Sequence, residues 1–163
     1  MEIKNKIVKV AKVCYIVAKV LYLVSFALCL TFIALAIALP ITNAIPAYAP
    51  AETAMIFATL AMFTFVLIGL MWNVEGLFKC IAKEQSPFGE GVSHYLKKIA
   101  IFVLMLAVVP ALIGTIILRI IMPETELIFP IEMGGIIAGA VLFIIGLSFK
   151  YGSELQKRDD ETL

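Results

Sequence analysis

The chain has 163 residues, 63% of them hydrophobic, with 15% charged and a mean hydropathy of +1.06. Soluble domains are about 45–50% apolar and about 25% charged, and a folded chain of this size still exposes about a third of its surface, so water is excluded as the solvent for most of it. A net charge of +1 gives no reason to expect direct nucleic-acid binding, and three cysteines outside any C-x-x-C pair with a single histidine, His94, imply no disulfide framework, metal site or cofactor.

Met1 to Lys12 reads as a basic tail carrying Lys4, Lys6, Lys9 and Lys12. A first span over about 13–39 follows, with an apolar run from Val20 to Leu39. Twenty residues at about 1.5 Å each cover about 30 Å, the thickness of the hydrocarbon layer. Lys19 stands at its entrance, where a lysine can reach the headgroups. A secretory leader competes for this stretch, because Ala47-Tyr48-Ala49 imitates a cleavage site. The apolar run exceeds the usual about 7–15 residues, and Pro50 would follow the cut. The expectation is therefore a retained first helix.

Pro40 to Thr53 reads as a loop, since its three prolines lack N–H donors and restrict their predecessors. Pro50 and Glu52 suit the first turn of the next helix. That second span covers about 54–83, with Trp72 at the level of an aromatic belt. Its last turns are amphipathic, with Glu75, Lys79 and Lys83 on one face and Leu77, Phe78 and Ile81 elsewhere.

Val74 to Lys98 forms the middle loop, broken at Ser86-Pro87-Phe88-Gly89. The third span, about 92–122, has Pro110 near its middle, which predicts a kink tolerable if neighbours or Thr115 satisfy the freed carbonyl. Arg119 lies near its far end, followed by a short loop with Glu124, Glu126 and Glu132. The fourth span, about 132–150, carries Gly135, Gly139 and Gly146, a stripe of small residues that allows close helix approach. It serves packing within one chain or, as the sharper alternative, a homo-oligomer seam. Lys150 to Leu163 is a short charged tail.

Five basic residues precede or enter the first span, four lie in the middle loop and three follow the last span, against Arg119 alone in the other two loops. This is a strong positive-inside signal. It predicts one all-α membrane domain, 1–163: four transmembrane helices in two in-out-in hairpins, both termini cytoplasmic. The expected location is the cytoplasmic membrane of a bacterium or archaeon, with the lipid bilayer as the first partner.

Chemistry is scarce. The central parts of the spans hold no Asp, Glu, His, Lys or Arg, only Ser25, Thr31, Thr59, Thr64, Thr115 and Ser148. Such hydroxyls usually bond back to their own helix, so a proton-coupled transporter is not expected. No phosphate loop, G-x-S-x-G or H-E-x-x-H appears, and no catalytic residue is assigned. His94 reads as solvated and Cys80 as a packing residue. Lys19 is expected to pair with Glu75, and Arg119 with Glu132 or Glu52.

Leu77 to Leu104 and the ending Phe149 to Leu163 resemble a family of prokaryotic membrane proteins known as domain of unknown function 2975. The carrying residues are Phe78-Lys79, Pro87-Phe88 and Lys97-Lys98-Ile99, then Tyr151-Gly152, Glu154-Leu155-Gln156 and Asp160-Glu161-Thr162-Leu163. Gly89 departs from the usual Thr or Ser cap, a difference of only a few tenths of a kcal/mol. The resemblance implies four membrane helices and no known enzyme activity. Genes of that family often stand beside a small helix-turn-helix regulator, which implies a cytoplasmic regulatory protein as partner.

The leading expectation is a non-enzymatic membrane protein with a cytoplasmic partner surface built from Phe78, Pro87, Phe88, Lys97, Lys98, Tyr151, Glu154 and Leu155. The bland account is that Phe88 and Leu155 pack these segments against the base of a four-helix bundle. The alternative function is a passive small-molecule or ion pathway, or an immunity-type protein against a membrane-active toxin.

Overall fold

Apolar runs with few interior breakers become long helices, and nothing else is built among the described residues. The computed structural model describes residues 2–42, 50–84, 90–121 and 132–161. Its elements are α1 (Glu2–Thr42), α2 (Pro50–Glu84), α3 (Glu90–Ile121) and α4 (Met133–Glu161). They run from 29 to 41 residues, about 44 to 62 Å, against a hydrocarbon layer of about 30 Å. All four are long and apolar enough to cross a membrane.

Both expected tails are corrected in the same direction. The basic start is the first part of α1, because lysines alternating with Ile7, Val8, Val10 and Ala11 contain no breaker and present charge outward. The charged ending continues α4 to Glu161. There Lys150 and Glu154 pair one turn apart at 3.5 Å, and Ser153 donates its hydroxyl to the Lys150 carbonyl at 2.9 Å.

Pro40 does not stop α1, which runs on to Thr42. A proline in the last turn removes only the donor to the Ala36 carbonyl. Thr42 then turns its hydroxyl onto the carbonyls of Ala38 and Leu39, at 3.1 and 3.3 Å. α2 begins at Pro50 with Glu52 in its first turn. The expected loop residues 43–49, the Ser86-Pro87-Phe88-Gly89 break and Glu124 and Glu126 lie outside the described residues.

Each helix packs antiparallel on its chain neighbour. In the α1–α2 seam the Tyr22 and Trp72 rings lie 5.5 Å apart, the Phe32 and Phe57 rings 6.3 Å apart, and the Cys29 thiol donates to the Ala61 carbonyl at 3.5 Å. Between α2 and α3, the Phe102 ring occupies the space a side chain at Gly69 would need, and the Tyr95 ring does the same at Gly76. Between α3 and α4, a Cβ at Gly135 would stand 2.7 Å from the Ala107 Cβ, and one at Gly139 would stand 2.6 Å from the Leu104 Cγ. The glycine stripe of α4 thus faces α3 of the same chain.

Among the described residues α1 packs closely on α2 alone and α4 on α3 alone. The expected four-helix bundle therefore takes the form of an open row. In lipid the outer faces of α1 and α4 gain nothing by closing on each other, because acyl chains are as apolar as leucine. Those faces expose Val20, Leu23, Ile37, Ile137, Ile144 and Leu147.

Antiparallel order brings the N-termini of α1 and α3 and the C-termini of α2 and α4 to one end of the row, the end that carries every basic residue except Arg119. It is called the basic end below.

Candidate functional site

The basic end is assembled from helix segments that outrun the apolar blocks. The apolar run of α3 starts at Ile99, and that of α4 stops at Phe149. Beyond those points the two helices stay in contact because Gly146 lets α3 come close. A Cβ there would meet the Lys97 Cγ at 3.1 Å and the Leu96 Cβ at 3.3 Å. Ser93, buried in the first turns of α3, donates its hydroxyl to the Gly146 carbonyl at 2.9 Å. This bond ties the helices together where the apolar packing ends.

Above that bond lies a cavity of about 260 Å³, lined by Ser93, His94, Lys97, Lys150, Ser153 and Glu154. Its polar groups come from one face of α3 and the opposing face of α4. The Lys97 stem lies over Gly146, and the residue is half-buried on the cavity wall. Lys150 meets Glu154 across the rim, with both side chains more than half exposed.

The expected partner residues separate into three groups. Tyr151 and Leu155 stand one turn apart on α4 and are 66% and 45% exposed. Lys98 is exposed too. Lys97 and Glu154 belong to the cavity. Phe78 is corrected: it is half-buried in the α1–α2 seam, lining a cavity of about 250 Å³ with Cys14, Val17, Ala18, Leu21, Met71 and Val74. Its ring sits on the face of α2 that meets α1, not on the face that carries Lys79 and Lys83. Pro87 and Phe88 lie outside the described residues.

The expected Lys19–Glu75 pair does not form. Lys19 instead lies 6.0 Å from the ring centroid of Tyr15, one turn earlier on its own helix. That arrangement keeps the ammonium over an aromatic face and free of a second helix. The hydroxyls of the spans mostly serve their own helices. Ser25 donates to Leu21, Thr31 to Ala27, Thr59 to Met55, Thr64 to Leu60 and Ser148 to Ile144, at 2.8 to 3.0 Å. Thr115 donates to Ala111 at 2.7 Å, whereas Pro110 takes the donor from the Leu106 carbonyl, more than two turns away.

A third cavity, of about 550 Å³, opens between α2 and α3 toward the other end, along Thr59, Phe63, Leu106, Pro110 and Gly114. Its walls are largely apolar, with Glu132 at one edge.

Ser93, Lys150 and Asn73 escaped the sequence reading. Asn73 is buried and gives its side-chain amide to the Gly69 carbonyl at 2.7 Å. The buried positions Ala11, Ala18 and Ser25 recur every seven residues on α1. That spacing was a usable signal for the α1–α2 seam.

Four antiparallel helices, each long and apolar enough to cross a membrane, are compatible with a multi-pass helical membrane protein. No family model, no curated protein and no solved structure matches the chain.

Proposed function

We propose that this is a non-enzymatic protein of the cytoplasmic membrane of a bacterium or archaeon whose basic end faces the cytoplasm and binds a protein partner. The carrying observation is the pair Tyr151 and Leu155, exposed one turn apart on a charged stretch of α4 that outruns its apolar block. The apolar run of α4 ends at Phe149, so acyl chains do not cover Leu155, which is flanked by Glu154, Lys157 and Arg158. Aromatic anchors with an apolar neighbour are the usual centre of a protein interface. The resemblance to domain of unknown function 2975 supports a small helix-turn-helix regulator as that partner. The chain is proposed as a member of that family, with Pro87-Phe88 and Lys98 completing the surface.

Recovery of the partner from native membranes with the tagged full chain tests the reading. The Tyr151→Ala/Leu155→Ala double variant is expected to lose at least about tenfold in recovery, since hot-spot truncations cost about 2 kcal/mol or more. Unchanged recovery by a correctly inserted variant would sink the proposal. Orientation has its own check. A reporter active only in the cytoplasm is expected to be active when fused after residue 163, and inactive when inserted among residues 43–49. The reverse pattern would place the basic end outside.

The competing reading, a passive pathway, draws on the apolar cavity between α2 and α3. The hydroxyls of Thr59 and Thr115 on its wall are turned onto their own helices, an arrangement that suits an apolar occupant better than an ion.

A further inference from the structure

We propose that the cavity between α3 and α4 at the basic end holds the phosphate of an anionic membrane lipid. This site rests on the proposed orientation of the basic end but not on the partner surface, since Tyr151 and Leu155 do not line this cavity. Depth comes first. Lys97 stands two residues before the apolar run of α3 begins, and Lys150 directly follows the last apolar residue of α4. The cavity therefore lies at the level where acyl chains give way to headgroups.

Charge comes second. Two lysines from different helices, Lys97 and Lys150, line a space of about 260 Å³ together with His94, against one acid, Glu154. Basic pockets between membrane helices on the inner side suit phosphate headgroups. Geometry comes third. Ser93 already donates its proton to the Gly146 carbonyl, and Ser153 donates to that of Lys150. The cations thus supply the donors for an incoming anion, and Glu154, 3.5 Å from the Lys150 ammonium, holds that lysine until a phosphate competes for it.

The test is native mass spectrometry of the purified full chain in detergent, titrated with phosphatidylglycerol, phosphatidylcholine or inorganic phosphate. Wild type is expected to retain phosphatidylglycerol in preference to phosphatidylcholine. Lys97→Gln/Lys150→Gln is expected to weaken that retention by about thirtyfold, because each of these lysines supplies a charge-assisted hydrogen bond to the phosphate that lysines elsewhere at this end do not. Lys79→Gln/Lys98→Gln removes the same charge from exposed positions at the same end, and is expected to bind at least about tenfold more tightly than the cavity variant. Glu154→Gln is expected to tighten binding, a gain that misfolding cannot imitate.

Equal retention by the two double variants would overturn the site and leave only the general field of the basic end. Equal retention of phosphatidylcholine, or weaker binding by Glu154→Gln, would overturn it as well. Inorganic phosphate binding as tightly as phosphatidylglycerol would overturn the assignment to lipid in favour of a soluble phosphate.

Discussion

Replacing Gly139 by leucine is expected to pull α4 away from α3. A Cβ at this position would stand 2.6 and 2.8 Å from Cγ and Cδ2 of Leu104 and 3.2 Å from the Ala100 carbonyl oxygen. Leucine 104 can shift its methyl groups, but a helix carbonyl cannot retreat without moving the helix. Ala100 is fully buried in this contact, so the only relief is separation. Overpacking a core by this much costs about 1–3 kcal/mol. In lipid nothing compensates, because van der Waals contact is most of what holds two such helices together.

The measurement is the midpoint of denaturation in mixed micelles, with Gly134→Leu as the reference. Gly134 lies one residue from the stripe, and a Cβ there meets nothing within 4 Å. Gly139→Leu is expected to lower the midpoint clearly while Gly134→Leu leaves it unchanged. Equal midpoints would show that α4 does not seat on α3 through this glycine. A drop accompanied by weaker oligomer formation would point to a seam between copies instead.

The second large effect belongs to the other end of the row. Ser25→Leu is expected to release α1 while leaving α3 and α4 paired. Ser25 is 5% exposed in the α1–α2 seam, and its hydroxyl serves only Leu21 of its own helix, at 2.8 Å. Loss of that hydroxyl is therefore minor, and the added volume decides the outcome, again by about 1–3 kcal/mol. Ala27→Leu, two residues on and exposed, is the matched control and is expected to be neutral.

Hydrogen exchange in micelles reads the result locally. Amides of α1 between residues 11 and 36 are expected to exchange faster in Ser25→Leu, and those of α3 and α4 at the wild-type rate. An equal rise across all four helices would mean a closed, cooperative bundle, contrary to the open row. The same topology predicts that Ser25→Leu and Gly139→Leu add within about 0.5 kcal/mol, since their sites share no partner.

These substitutions mark where the sequence was readable. The stripe Gly135, Gly139 and Gly146 was visible as small residues on an apolar helix, and small residues are the mark of a seam in lipid. Gly69 and Gly76 gave no such signal. Their roles depend on the Phe102 and Tyr95 rings of another helix, which no local pattern announces. Phe78 was misplaced for a related reason. It stands off the charged face of α2, and only the packing of α1 shows that this side lines the seam between the two helices. Lys19 and Glu75 were paired by depth alone, and depth does not fix the direction in which each side chain leaves its helix.

The amino-acid sequence by itself determined four helices, their approximate apolar limits and the gathering of twelve of thirteen basic residues toward one side. Run length, breakers and charge placement are local properties, and lipid makes them decisive by forbidding unpaired backbone. Only the tertiary structure decided which helices touch, that the row stays open, and that Lys97 and Lys150 line one cavity beside the Ser93–Gly146 bond, which spans 53 residues. The physical reason is that hydrophobic periodicity marks an interior only when water is outside. In a bilayer the lipid-facing and partner-facing sides are equally apolar, so contact is settled by shape, and shape appears only when two helices are laid together.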